Sequence, residues 1–517
     1  MENILSAILL KPFSPDYEPA HGPWLLRLLR AAKIQEKQVP EMSPGAQDRF
    51  VKSFVPGLDD VIPGFPRGGL ILVSGLPGSG KTSLGMSFIY NGALKAGEPG
   101  IYVSTYESRE RFLENARSFG MDFKKLEDRR LFEFISLPVL MEVGVAESFN
   151  IVVERVEEMG ARRLVIDSFT VLRESFKSPH EARILLQSVL YRILEKLECT
   201  TVLIKERASA SEDVGFEDYV ADAAIHLEAT LLENRAFRIL SFIKLRGGEI
   251  RHPKICFTLS RGFRALPPTR PLRPREPMSF SPPPDPPEGY TTGIPDLDRE
   301  IGGYPKGATV LMEIDPRLTP RDYHPLLLPA AASFIHKDRP VIGIPSGGVT
   351  VKALMEAGKL YGVSEEKFLK HGAYFIETTA PMEELPNVIR VDARDIDAAL
   401  RKVMDTAYEL AKKFKEPPFI GVGIDRLVRL FGLNAAANLL AVAQDYVRQS
   451  GALMIWLAKP IEPGIVERLA PIADMHIKIT RRHGCVIFYG VKPGTPIYGL
   501  QIDPESGTPL PEIIPIV

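Results

Sequence analysis

The eight residues GLPGSGKT at 75–82 constrain this chain more than any other stretch. They follow the β-rich run LILVS and precede SLGMSFIYNGAL, where Leu84, Phe88 and Met86, Ile89, Tyr90 recur at helical spacing. The pattern is G-x-x-x-x-G-K-[ST]. Its glycines let consecutive backbone N–H groups face one concavity, and such a concavity wraps phosphate. Gly75, Leu76, Pro77, Gly78, Ser79 and Gly80 would form that cradle, with Lys81 reaching the β- and γ-phosphates. The Thr82 hydroxyl would hold Mg²⁺, and Ser83 opens a helix whose positive N-terminal end faces the anion. The motif in this strand–loop–helix setting predicts binding of a nucleoside triphosphate such as ATP.

Turnover needs further groups. IYVSTYE (101–107) reads as a strand ending in Glu107, a carboxylate able to orient or deprotonate an attacking water, or else an ordinary strand-end glutamate. RRLVIDSF (162–169) reads as a buried strand ending in Asp167, a second metal-site residue, with a helix cap as the alternative. TTVLIKER (200–207) reads as a third strand whose tip, Lys205, Glu206 and Arg207, should emerge on the same edge. Strands alternating with helical segments predict an α/β fold with a mostly parallel twisted sheet, and ligands sit at the carboxyl edge of such sheets.

At 517 residues the chain exceeds one ordinary domain. The segment 266–289 contains ten prolines, which exclude helix and central strand and predict an extended linker. Around it we expect an N-terminal extension (1–50), a first domain (51–265) and a second (290–517). In the extension, WLLRLLRAAKI (24–34) has the pattern of a short amphipathic helix docking on its own or a neighbouring subunit. The two domains look like copies. GLDDVIPGFPRGGLILVSG (57–75) and GIPDLDREIGGYPKGATVLMEI (293–314) share Leu-Asp and an aromatic-Pro-basic-Gly step before an apolar strand. VADAAIHL (220–227) and IADMHIKI (472–479) resume the likeness.

Lys plus Arg (64) nearly balance Asp plus Glu (65), so the chain as a whole exerts no pull on nucleic acid. The three cysteines have no metal-ligand spacing, and no apolar run reaches 18 residues. These point to a cytoplasmic protein with neither disulfide framework nor membrane span.

With these pieces in order, residues 51–265 resemble the KaiC-like branch of the RecA-type ATPases. The likeness rests on SFIYNGALKAGEPGIYVSTYES, NARSFGMDFKKLED (115–128), GFEDYVADAAIHL and ILSFIKLRG (239–247). It implies a hexameric homo-oligomer with ATP and Mg²⁺ between subunits. It also implies that Lys244 and Arg246, in KLRG, act across the boundary on the neighbour's γ-phosphate. Two departures qualify it. The family often shows two adjacent glutamates on the strand after the loop helix, and Ser108 follows Glu107 here, which implies slow hydrolysis. Lys205-Glu206 stands where DNA recombinases of the superfamily usually show Asn-Gln.

Aligning the copies on Gly68 and Gly307 sets IDPRLTPR (314–321) against the glycine loop. Pro320 falls opposite Lys81, Arg321 opposite Thr82 and Ser346 opposite Glu107, leaving Asp425 as the relic of Asp167 and Lys492 as that of Lys244. The expectation is a second RecA-like domain without catalysis, a scaffold or regulatory-partner surface. The favoured function is a slow regulatory ATPase. The alternatives are a DNA repair or recombination factor, which lacks a basic glycine-rich DNA loop here, and a non-hydrolysing scaffold stabilised by ATP.

Overall fold

The computed structural model describes residues 49–137, 145–170, 193, 196–207, 216–270, 279–377, 385–392, 394–459, 464–503 and 507–517. The expected helix at 24–34 and most of the segment after Asp167 lie outside them.

In the first half the apolar runs form nine strands: β1 (Leu70–Gly75), β2 (Gly100–Ser104), β3 (Phe132–Ser136), β4 (Arg163–Asp167), β5 (Thr200–Glu206), β6 (Ala223–Leu232), β7 (Arg235–Leu245), β8 (Lys254–Thr258) and β9 (Arg264–Leu266). Their order is β9-β8-β7-β6-β1-β5-β4-β2-β3, parallel from β6 through β3 and antiparallel beyond. Every residue of β1, β2 and β4 is buried, as expected of strands covered on both faces. Helix α1 (Lys81–Ala96) follows β1, and α2 (Arg109–Ser118) follows β2, capped by the Ser108 hydroxyl.

The second half repeats this plan with β10 (Thr309–Ile314), β11 (Val341–Ile344), β12 (Gly372–Glu377), β13 (Val388–Val391), β14 (Phe419–Gly423), β15 (Leu453–Ala458), β16 (Met475–Arg482), β17 (Cys485–Lys492), β18 (Ile497–Gln501) and β19 (Glu512–Ile516). The order β13-β12-β11-β14-β15-β10-β16-β17-β18-β19 matches the first sheet strand for strand, with β13 added at one edge. Helix α3 (Pro320–His336) stands in the place of α1, and α4 (Ile424–Phe431) follows β14. Two RecA-like sheets in tandem are therefore the architecture.

The shared sequence words do the same physical work twice. Asp222 accepts a hydrogen bond from the Leu70 N–H at 3.0 Å, and Asp474 accepts one from the Thr309 N–H at 2.8 Å. Each ties the start of the central strand to the strand beside it. Asp59 gathers Ser53 and Phe54 N–H groups, while Asp298 gathers the Thr292 N–H and the Thr291 and Thr292 hydroxyls. An Asp bonded to several backbone N–H groups fixes a turn that has no other partner.

Arg163 is wholly buried in the first half. It donates to Glu98 (2.6 Å) and to the carbonyls of Ser53, Phe88 and Lys52, and lies over the Phe88 ring at 4.5 Å. A Cβ on Gly92 would come within 2.1 Å of this guanidinium, so the helix passes there only as glycine.

Between the halves, the described parts of 267–288 contain neither helix nor strand. The two sheets meet instead through a buried apolar cluster. Phe237, Cys256 and Leu266 of the first pack on Cys485, Ile487, Tyr489, Ile497, Ile514 and Ile516 of the second.

Candidate functional site

The glycine loop closes the carboxyl end of β1, at the centre of the first sheet. Gly78 and Gly80 hold φ at +75° and +98°, a region that side chains resist, so the loop's curvature depends on them. Lys81 is buried, and its ammonium donates to the Leu76 carbonyl of its own loop at 2.9 Å. Burial lowers its pKa, opposed by the nearby charges of Glu206 and Asp167. The Ser79 hydroxyl is buried without a protein partner.

At the mouth of the loop the Thr82 hydroxyl donates to Asp167 Oδ2 at 2.8 Å, and the Tyr102 hydroxyl donates to the same oxygen at 2.7 Å. Burial raises the Asp167 pKa, while hydrogen bonds from Tyr102 and Thr82 pull it back. The hydroxyl and carboxylate expected to hold Mg²⁺ therefore converge on one point. Among the described residues no group of three or more His, Cys, Asp or Glu could hold a metal. A metal carried in with a triphosphate needs no such group.

Glu107 sits elsewhere than expected. Strand β2 ends at Ser104, and Glu107 lies in the turn before α2, where its carboxylate accepts from Asn115 Nδ2 at 2.6 Å. Burial raises its pKa, against the lowering effect of Asn115. Tyr106 instead approaches the Thr82–Asp167 pair, its hydroxyl 3.4 Å from Asp167 Oδ1. Burial and the Asp167 charge keep that phenol protonated far above neutrality. Tyr106 escaped the reading of the sequence because no motif marks it.

The tip of β5 also needs correction. Only Glu206 and Arg207 approach the surface. Lys205 is 2 % exposed, paired with Glu217 at 2.7 Å and Asp218 at 3.0 Å. The run VLIK continues inward because the helix Phe216–Val220 brings two carboxylates to meet it.

Lys244 and Arg246 stand far from the loop within one chain. In the ladders Lys244 pairs with Ala224, and Ala224 with Leu72, whereas Gly75 pairs with Leu227. Arg246 is level with Asp222 and the start of β1, five residues or roughly 17 Å from Gly75 at ~3.3 Å per residue. Lys244 donates to the Tyr219 carbonyl at 3.0 Å, and Arg246 pairs with Asp222 at 3.1 Å. Beside them the Tyr219 and Ile243 side chains are exposed.

In the second half, register decides what has replaced what. Gly100 and Val341 are equivalent, so Ser346 falls opposite Thr105 and not opposite Glu107. Arg163 and Phe419 are likewise equivalent, which sets Gly423 opposite Asp167. Asp425 lies two residues later, in the first turn of α4, and accepts from the Gly347 N–H at 2.8 Å. It is no strand-end relic. Lys492 does align with Lys244, through His476 and Ala224, and Gly494 takes the place of Arg246.

A glycine loop at the end of the central strand of a sheet so ordered, with a lysine and a hydroxyl–carboxylate pair in it, belongs to the RecA-type P-loop ATPases. Within that class the chain belongs to the KaiC family, whose ATPase model matches residues 51–263. A UPF0273 protein of Pyrococcus horikoshii is 30 % identical over 226 residues, which cover 40 % of this chain and 90 % of that protein. Circadian clock oscillator proteins KaiC are similar too. That of Thermostichus vulcanus is 30 % identical over 45 % of this chain and 47 % of its own length. That of Synechococcus elongatus is 32 % identical over 41 % and 42 %. The match thus spans about half the length of these clock proteins. A solved structure of a KaiC-like protein from Pyrococcus horikoshii OT3 shares 30 % identity, covering 42 % of this chain and 99 % of that one, at a TM-score of 0.39.

No helix among the described residues is long and apolar enough to cross a membrane.

Proposed function

We propose that the chain hydrolyses ATP slowly, in sites assembled between copies of itself. The observation that carries this reading is the Thr82–Asp167 pair at the mouth of the glycine loop. In this reading Gly75–Ser83 cradle the phosphates, Lys81 leaves the Leu76 carbonyl for the β- and γ-phosphates, and Thr82 and Asp167 hold Mg²⁺. The metal supplies charge neutralisation between the phosphates. Lys244 and Arg246 lie too far along the sheet to serve their own loop, so they would serve a neighbour's, in a ring, there stabilising transition-state charge. The exposed Tyr219 and Ile243 beside them and Leu76 and Tyr106 beside the loop give both faces an apolar rim for such a contact. The domain division proposed is 51–265 and 290–517, the second without a phosphate loop and serving as scaffold or partner surface.

A second reading, ATP held without turnover as subunit glue, is favoured by one observation: the side chain beside Asp167 is a phenol, Tyr106, while the Glu107 carboxylate is held by Asn115. Steady-state hydrolysis separates the readings. Wild type should turn over ATP, while Lys81→Ala and Arg246→Ala should each fall to background. Mixing the two inactive variants should restore part of the rate, because some boundaries then combine an intact loop with an intact cation pair. Silence of the mixture would remove the shared site. Silence of wild type with ATP bound would favour the glue.

A further inference from the structure

The second sheet has lost its phosphate loop, yet the same face of it encloses a cavity of about 80 Å³ between α3, the helix Val351–Lys359 and the strands. Register shows where the room comes from. In the first half this layer is filled by rings: Tyr102 packs on Phe112 at 4.7 Å, and Phe112 on Phe132 at 5.7 Å. Their counterparts are Gly343, Leu354 and Gly372, placed by the strand ladders and by the equivalent caps Ser108 and Thr350. Tyr374 leans onto Gly343, where a Cβ would lie 2.5 Å from its ring, and Phe368 stacks on Tyr374. They refill only part of the space.

Tyr323 and Ser346 stand among the residues around the cavity, both at least 98 % buried, and neither hydroxyl has a protein hydrogen-bond partner. Beside them Asp425 leaves Oδ1 unpartnered while Oδ2 is held by the Gly347 N–H. The Lys459 ammonium lies 5.1 Å from the Tyr323 ring centre, and burial together with that charge keeps His324 neutral, with a pKa near 4. Buried polar groups are normally satisfied, and an apolar cavity with a few convergent polar atoms is the usual form of a small-molecule site.

We propose that the second half binds a small, largely apolar molecule bearing one hydroxyl group. Its hydrocarbon part fills the space against Leu327, Leu354 and Gly358. Its hydroxyl pairs with the unpartnered hydroxyl of Tyr323 or Ser346. The site is independent of nucleotide in the first half.

Phenol is a suitable probe and toluene its control, measured on the full chain by calorimetry and ligand-observed NMR. Phenol should bind saturably and about tenfold more tightly than toluene, the ratio expected of one well-placed hydrogen bond. Ser346→Ala should weaken phenol by about the same factor and leave toluene unchanged. Gly358→Ala should weaken both, since Gly358 lines the cavity and a Cβ there meets Val363 at an ordinary 3.6 Å, so the space shrinks without disturbing the fold. No saturable phenol binding, or phenol binding indifferent to both Ser346→Ala and Gly358→Ala, overturns the proposal.

Discussion

Tyr106 shows how much one side chain decides at a site whose other members follow a motif. It sits two residues past the end of β2, and the turn that carries it sends Tyr106 toward Asp167 and Glu107 toward Asn115. A phenol is protonated at neutral pH, all the more so beside the Asp167 charge, and cannot accept a proton from water, so Tyr106 does not serve as base. Replacing it by a carboxylate should change that. Tyr106→Glu is expected to raise kcat for ATP at least about tenfold, at the low end of what general bases contribute. Its rate should climb with pH, because burial and the Asp167 charge both raise the new carboxyl's pKa and it acts only when ionised. An unchanged or lower kcat in quench-flow would show that Tyr106 lies off the reaction path. Lys81, Thr82 and Asp167 were legible from sequence because each stands at a fixed offset in a local pattern. Tyr106 was not, since a turn's exit direction depends on what packs beneath it.

At the scale of elements, the fold was readable wherever a strand or helix carries its own signal. LILVSG, RLVID and TTVLI are β-rich runs bounded by turn residues, and they became β1, β4 and most of β5. Misreadings came where charge was taken as a sign of exposure. Lys205 ends a buried stretch because Glu217 and Asp218 arrive from a later helix to neutralise it. Removing one partner of a buried pair usually costs 3–5 kcal/mol, and Asp218 remains here. Glu217→Ala should therefore destabilise the chain by about 3 kcal/mol, read as a lower urea midpoint at unchanged slope. A loss below about 0.5 kcal/mol would mean that Asp218 alone satisfies the lysine. Register was equally invisible. Sequence alignment set Ser346 against Glu107 and Asp425 against Asp167, and the hydrogen-bond ladders moved both. Similar letters two residues apart cannot be ranked without knowing which strands pair.

Across the whole molecule, residues Phe50–Val517 form one compact unit in which Arg238 of β7 links the glycine loop to the last residue of the second half. Arg238 donates to the Gly78 carbonyl at 3.1 Å and to the Val517 carbonyl, and Val517 also accepts from the Leu259 N–H. Around this bridge Arg235 donates to the Thr495 and Gly490 carbonyls and lies over the Tyr489 ring, and Arg264 pairs with Glu512. Nucleotide in the loop should thus stiffen β19. Amide exchange across 512–517 is expected to slow several-fold on adding Mg-ATP, and Arg238→Ala should remove that response while leaving ATP bound. Equal slowing in the variant would place the coupling in the apolar cluster of Phe237, Ile487 and Ile514. The sequence by itself determined the two-sheet plan, the glycine loop at the end of the first central strand and the want of glycines at the matching place in the second copy, because each is written in local spacing and backbone chemistry. Only the tertiary structure decided which residue approaches the Thr82–Asp167 pair, which cations lie beyond reach of their own loop, and where missing rings leave a cavity. Those depend on register and on contacts between residues far from one another in sequence, and no local pattern encodes them.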